Sequence, residues 1–130
     1  MSFKFSKTSL FRLNTCDEKL QKVFNKVIEI YDFSVLEGYR SEELQTEYFL
    51  KGLSKIEYPN SKHNEYPSKA IDIAPWPINW NDRESFIYLA GIVKGVSQSM
   101  GIPLRWGGDW DSDNDLKDQN FMDLVHFELK

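Results

Sequence analysis

The 130-residue chain holds only two histidines, His63 and His126. Two imidazoles and one carboxylate make a catalytic zinc set, because three protein ligands leave a fourth tetrahedral position for water, whose pKa the metal lowers to about 7. The carboxylate suited to complete the set is Asp72, set in the apolar run Ala70-Ile71-Asp72-Ile73-Ala74. A carboxylate in such a strand is costly to bury unless it is paired or metal-bound. A salt bridge to a nearby Lys or Arg is the alternative. His126 alternates with Val125 and Phe127, so it projects from the opposite strand face, together with Glu128. A histidine taken alone is more often exposed or a satisfied core residue than a ligand, so the set stands or falls as a group. Asp123, three residues before His126, is near enough to take a proton from water. Its other reading is a turn residue.

These side chains need a scaffold, and the hydrophobic pattern supplies one. Thr15-Cys16-Asp17-Glu18 reads as a capping box, followed at helical spacing by Leu20, Val23, Phe24, Val27, Ile28 and Tyr31. Phe33 to Glu37 reads as a short strand leading through Gly38-Tyr39-Arg40 to Ser41, the N-cap of a second helix that stops near Gly52. Leu53 to Lys69 has loop composition, and loops this long are often functional. Ala70 to Ala74 is the next strand, ended by Pro75 and Pro77. Asn81 with Glu84 marks the start of the longest helix, whose buried stripe is Phe86, Leu89, Ala90, Val93, Val96 and Met100. Leu104 to Trp106 and Val125 to Leu129 complete a set of short strands. The pattern predicts one small α+β domain spanning residues 1–130, an antiparallel sheet with flanking helices.

Composition narrows the function classes. A net charge of -4 offers no basic excess for a phosphate backbone, which argues against nucleic acid as a partner. The lone Cys16 can form neither an internal disulfide nor a thiolate zinc site. No stretch approaches the roughly 20 apolar residues of a membrane span, and the N-terminal segment lacks a signal-like apolar core. The expectation is a soluble protein made in the cytoplasm and acting as a monomer. Asp109, Asp111, Asp113, Asp115 and Asp118 invite a calcium site, but the run lacks the glycine and closing glutamate of an EF-hand and reads as a hydrated acidic loop. Trp76, Trp80, Trp106 and Trp110 read as core or cleft wall sooner than as a sugar platform.

Three segments carry a resemblance: Ser61-Lys62-His63, Ala70-Ile71-Asp72, and Asp123-Leu124-Val125-His126-Phe127-Glu128. In that order they resemble the zinc D-alanyl-D-alanine carboxypeptidase and L-alanyl-D-glutamate endopeptidase family, which includes small phage endolysins. Gly38-Tyr39-Arg40 and Trp106-Gly107-Gly108-Asp109-Trp110 are similar to further family segments. The resemblance implies that His63, Asp72 and His126 bind zinc and that Asp123 is the general base. It implies that Arg40 stabilises an oxyanion or binds a substrate carboxylate, and that Ser61 contacts substrate or braces its loop. Asp109 is a candidate substrate contact or the start of an acidic turn, and Glu128 a candidate hydrogen-bond partner that fixes a histidine tautomer.

The substrate so implied is a peptidoglycan stem peptide, cut between L-alanine and D-glutamate by an enzyme that reaches the wall at lysis or from a virion. Carboxypeptidase or dipeptidase action on D-alanines, and a wall-binding or virion module without turnover, are the alternatives. One departure stands out: eight residues separate His63 from Asp72, two more than the commonest family spacing. Loop closure depends weakly on length, so the insertion is expected to reshape the cleft edge and leave the ligands in place.

Overall fold

The computed structural model describes residues 3–112, 114 and 123–130. Ser6 accepts a hydrogen bond from the Ser9 amide and starts helix α1 (Lys7–Leu13), and Asp17 starts α2 (Glu18–Val27). Strand β1 (Phe33–Glu37) leads to α3 (Glu42–Leu50), which Ser41 caps as expected and which ends ahead of Gly52 at a φ of 75°. A single 3-10 turn at Lys62–Asn64 breaks the long loop. Then come β2 (Ala70–Pro75), α4 (Arg83–Ser99), β3 (Leu104–Gly107) and β4 (Asp123–Leu129). The strands pair antiparallel in the order β1-β2-β4-β3, which gives the expected α+β fold.

Strand alternation sorts the sheet into a dry face and a chemical one. Ile71, Ile73, Val35 and Phe127 pack with Leu20, Phe24 and Val27 of α2 and with Leu89, Ala90 and Val93 of α4 into one core. Each such aliphatic or aromatic side chain stabilises the fold by about 1.5–3 kcal/mol on full burial. The alternate residues Asp72, His126 and Glu128 therefore point away from the helices α2 and α4. In register, Asp72 is the direct partner of His126, and Ala70 of Glu128.

Some local expectations shift. The cap of α2 is Asp17, which accepts from the Lys19 amide, because Thr15 is engaged with the preceding helix: its hydroxyl donates to Arg12 O at 2.6 Å. The cap of α4 is likewise Asp82, which accepts from the Ser85 amide. Helix α1 has no counterpart in the sequence reading. Cys16 is buried between the Arg12 and Ala70 carbonyls, and burial pushes its thiol up to about 12, so it is chemically inert at neutral pH. Of the acidic run, Asp109 and Asp111 are described, while Asp113, Asp115 and Asp118 lie outside the described residues. Among the described residues, no helix is long and apolar enough to cross a membrane.

Candidate metal centre

Three elements deliver three donor atoms to one point. His63 comes from the 3-10 turn, Asp72 from β2 and His126 from β4. His63 Nε2 lies 3.2 Å from Asp72 Oδ1 and 3.3 Å from His126 Nδ1, and His126 Nδ1 lies 3.2 Å from Asp72 Oδ1. A tetrahedral ion with bonds of about 2.0–2.1 Å needs donors about 3.3–3.4 Å apart. The observed triangle is close to that spacing, and both rings are buried, so the group can hold a metal ion.

The outer ring nitrogens show which inner ones are free to ligate. His63 Nδ1 donates to the Gly38 carbonyl at 2.7 Å, which leaves Nε2 as the lone-pair nitrogen facing Asp72. His126 Nε2 donates to Glu128 Oε1 at 2.8 Å, which turns Nδ1 inward. A carboxylate or carbonyl behind each ring is the usual support of a metal-binding histidine. Glu128 is fixed in turn by Lys62 Nζ at 3.3 Å and Arg105 Nη1 at 3.9 Å from its Oε2.

In the absence of metal the same atoms form a charged cluster. Burial opposes protonation of His126, but its hydrogen bonds to Asp72 and Glu128 override that and raise its pKa to about 9. Asp72 feels burial in the opposite sense, yet the charges and hydrogen bonds of His63 and His126 hold its carboxyl far below the usual range. Glu128 is lowered despite burial, chiefly by His126.

The surrounding cleft, of about 290 Å³, is lined by Arg40, Ser61, Asp123 and the three donor residues, together with Tyr48 and Lys55. Asp123 is the first residue of β4, where burial and the charge of Asp72 raise its pKa. Its backbone crosses so close to Gly107 that a Cβ there would stand 2.1 Å from the Asp123 carbonyl oxygen. Arg40 is buried: Nε donates to Glu37 Oε1, Nη1 donates to Gln45 Oε1 at 2.8 Å, and Nη2 lies 3.6 Å from Asp72 Oδ2. The Tyr48 ring lies 5.0 Å from the guanidinium carbon.

Ser61 is buried as the cap of the 3-10 turn and accepts from the His63 amide at 3.2 Å. Its hydroxyl thus braces the ligand loop from the cleft wall. Asp109 is buried as well, with Oδ2 accepting from the Asn114 amide at 2.9 Å, and its neighbour Trp110 is the residue that lines the cleft. The longer His63–Asp72 segment is tied down by Ser68, whose amide donates to Thr15 O and whose carbonyl accepts from Asp17 N, each at 2.9 Å.

The sequence reading gave no role to Glu37, Gln45, Lys62 or the Gly38 carbonyl, which the structure places around the site. A signal for Gln45 was present: the α3 sequence EELQTEYFL has no apolar stripe, and Gln45 is its buried residue. The carbonyl carries no side-chain signature at all.

An antiparallel sheet that presents a buried His–Asp–His donor set in a cleft, beside a carboxylate and an arginine, defines a candidate mononuclear metallohydrolase. Comparison with known proteins gives the particular family. Residues 1–130 match the family model for phage L-alanyl-D-glutamate peptidase, and the chain belongs to that family. It is 36% identical over 124 residues to the L-alanyl-D-glutamate peptidase of Escherichia phage T5, a match covering 92% of this chain and 90% of the relative. Its fold is similar to that of the L-Ala-D-Glu endopeptidase ChiX of Serratia marcescens, with a TM-score of 0.78 and 25% identity across 98% of this chain and 90% of the other.

Proposed function

We propose that the chain is a zinc-dependent L-alanyl-D-glutamate endopeptidase that cuts peptidoglycan stem peptides, with residues 1–130 forming one peptidase domain that works as a monomer. The observation that carries this reading is the donor triangle of His63, Asp72 and His126 with its outer nitrogens already committed to Gly38 O and Glu128. Family membership and both named relatives favour the L-alanyl-D-glutamate bond over a D-alanyl-D-alanine bond. Access to the wall follows release at lysis or delivery from a virion.

His63, Asp72 and His126 are the zinc ligands in this reading: nitrogen and carboxylate donors suit that ion, and their spacing fits its tetrahedral radius. When bound, zinc supplies Lewis acidity, polarising the peptide carbonyl and lowering the pKa of water to about 7. Asp123 receives the proton of the attacking water and passes it to the amine of the departing D-glutamate residue. Its raised pKa suits both transfers, since it holds a proton more firmly than an exposed carboxylate does. Arg40 faces the negative charge that develops on the carbonyl oxygen, and its bonds to Glu37 and Gln45 fix its position beforehand. Ser61 and Glu128 keep the two histidines oriented. Asp109 acts on substrate indirectly, by shaping the turn that places Trp110 on the cleft wall.

The test is metal analysis of the purified protein together with mass spectrometry of digested peptidoglycan, with and without a chelator. One zinc per chain and chelator-sensitive release of peptides with a new D-glutamate amino terminus are expected. Release of free D-alanine in place of such peptides would overturn the bond assignment, and full activity in chelator would overturn the metal.

A further inference from the structure

Of the tryptophans expected in the core or a cleft wall, Trp80 is one that lines a groove. Trp80 is 63% exposed, in the segment between β2 and α4. Its ring stacks on Phe86 with centroids 5.6 Å apart and planes at 22°, so one indole face is supported and the other is presented outward. Trp80, Arg83, Phe86, Asp123, Leu124 and Val125 line a groove of about 400 Å³. Asp123 and Val125 also line the metal-site cleft, so the two hollows meet at the general base.

Resting on the endopeptidase reading above, we propose that this groove is the subsite for the muramic acid sugar of the substrate, with Trp80 as its stacking platform. The chemistry on the two sides of the scissile bond differs. On the D-glutamate side the substrate carries carboxylates, and Arg40 and Lys55 are among the residues that line the metal-site cleft. On the L-alanine side the alanine nitrogen is acylated by the lactyl group of muramic acid, which is uncharged and followed by a sugar ring. The groove that shares Asp123 with this cleft offers, beside Arg83, the aromatic and aliphatic surface of Trp80, Phe86 and Leu124 to an uncharged lactyl group and the C–H face of a pyranose. A stacked indole is already held in place, so a sugar docks on it with no side chain to order.

The experiment compares Trp80→Ala with the parent enzyme on a disaccharide-bearing muropeptide and on the same stem peptide without sugar. Loss of one stacking contact is expected to raise KM for the disaccharide substrate roughly tenfold and leave the sugar-free peptide unchanged, with Trp80→Phe restoring most of the loss. An equal loss on both substrates would overturn the subsite. Independently of turnover, N-acetylmuramyl-L-alanine added to the parent protein, zinc-loaded or chelated, is expected to shift the indole N–H resonance of Trp80, assigned through Trp80→Phe. No shift at millimolar ligand would overturn the proposal even where Trp80→Ala fails to fold. A parent enzyme that cuts neither substrate would sink the endopeptidase reading, while the indole titration still decides the subsite.

Discussion

Asp72 and His126 stand directly opposite each other on β2 and β4, with Asp72 Oδ1 3.2 Å from His126 Nδ1. Opposed residues in an antiparallel pair have Cβ atoms about 4.5–5.5 Å apart, so the ladder itself sets the spacing of two donors. A third donor from the loop is then needed to close the triangle.

The first prediction separates an inner donor from its outer support. Asp72→Ala removes a ligand and should abolish stoichiometric metal binding. Glu128→Gln leaves every ligand in place but weakens the acceptor behind His126, and should lower zinc affinity by roughly 10–100-fold. Competition with a chromophoric chelator measures both. Equal losses for the two variants would mean that Glu128 is itself a ligand.

Asp123→Asn should keep one zinc per chain and lose about 10²–10⁴-fold in kcat, the contribution of a positioned proton carrier. Metal content and peptide release on the same preparation check it. Turnover at the parent rate would assign the base to another group.

These expectations also show what the residue pattern could reveal. Ala-Ile-Asp-Ile-Ala and Val-His-Phe-Glu each betray a strand with one apolar and one chemical face, because alternation is local. What puts the two strands side by side is not local: Asp72 and His126 lie 54 positions apart, and their register follows from packing Ile71 and Phe127 into one core. Helix α1 was illegible for a related reason. It is short, and Leu10 and Phe11 remain 45% and 73% exposed, so no apolar stripe announces it. The orientation of His63 depends on a backbone carbonyl, which any residue type supplies equally well.

The chelated protein should carry a pH signature that the metal-loaded protein lacks. His126 has its folded pKa raised from 6.5 to about 9, so its contribution to stability is fully present below the unfolded value of 6.5 and is lost as pH rises through about 9. The full shift corresponds to stability on the order of 3 kcal/mol. Urea unfolding of chelator-treated protein at pH 6 and pH 9.5 should show that decline. Zinc must displace the same proton, so metal binding at pH 7 should release protons to the buffer, measurable by calorimetry in buffers of different ionisation enthalpy. A flat stability profile across this window would mean that His126 is neutral in the metal-free fold.

Gly38 links the scaffold to the candidate metal site through its backbone. Its carbonyl accepts from His63 Nδ1, while its Cα faces the end of α1 so closely that an added Cβ would stand 2.3 Å from Thr15 Oγ1 and 2.4 Å from Arg12 O. The second of these is backbone and cannot swing aside. Gly38→Ala must therefore shift either α1 or the segment that bears the carbonyl, at a cost of about 1–3 kcal/mol in stability. If the carbonyl moves, His63 loses the acceptor that fixes its tautomer, and zinc affinity falls along with stability. If α1 moves instead, only stability falls. Thermal unfolding with chelator, paired with zinc competition without it, distinguishes the two. Two bonds hold α1 to β1 and favour the first outcome: Arg12 Nη1 donates to Val35 O at 3.1 Å and the Val35 amide donates to Ser9 Oγ at 3.0 Å.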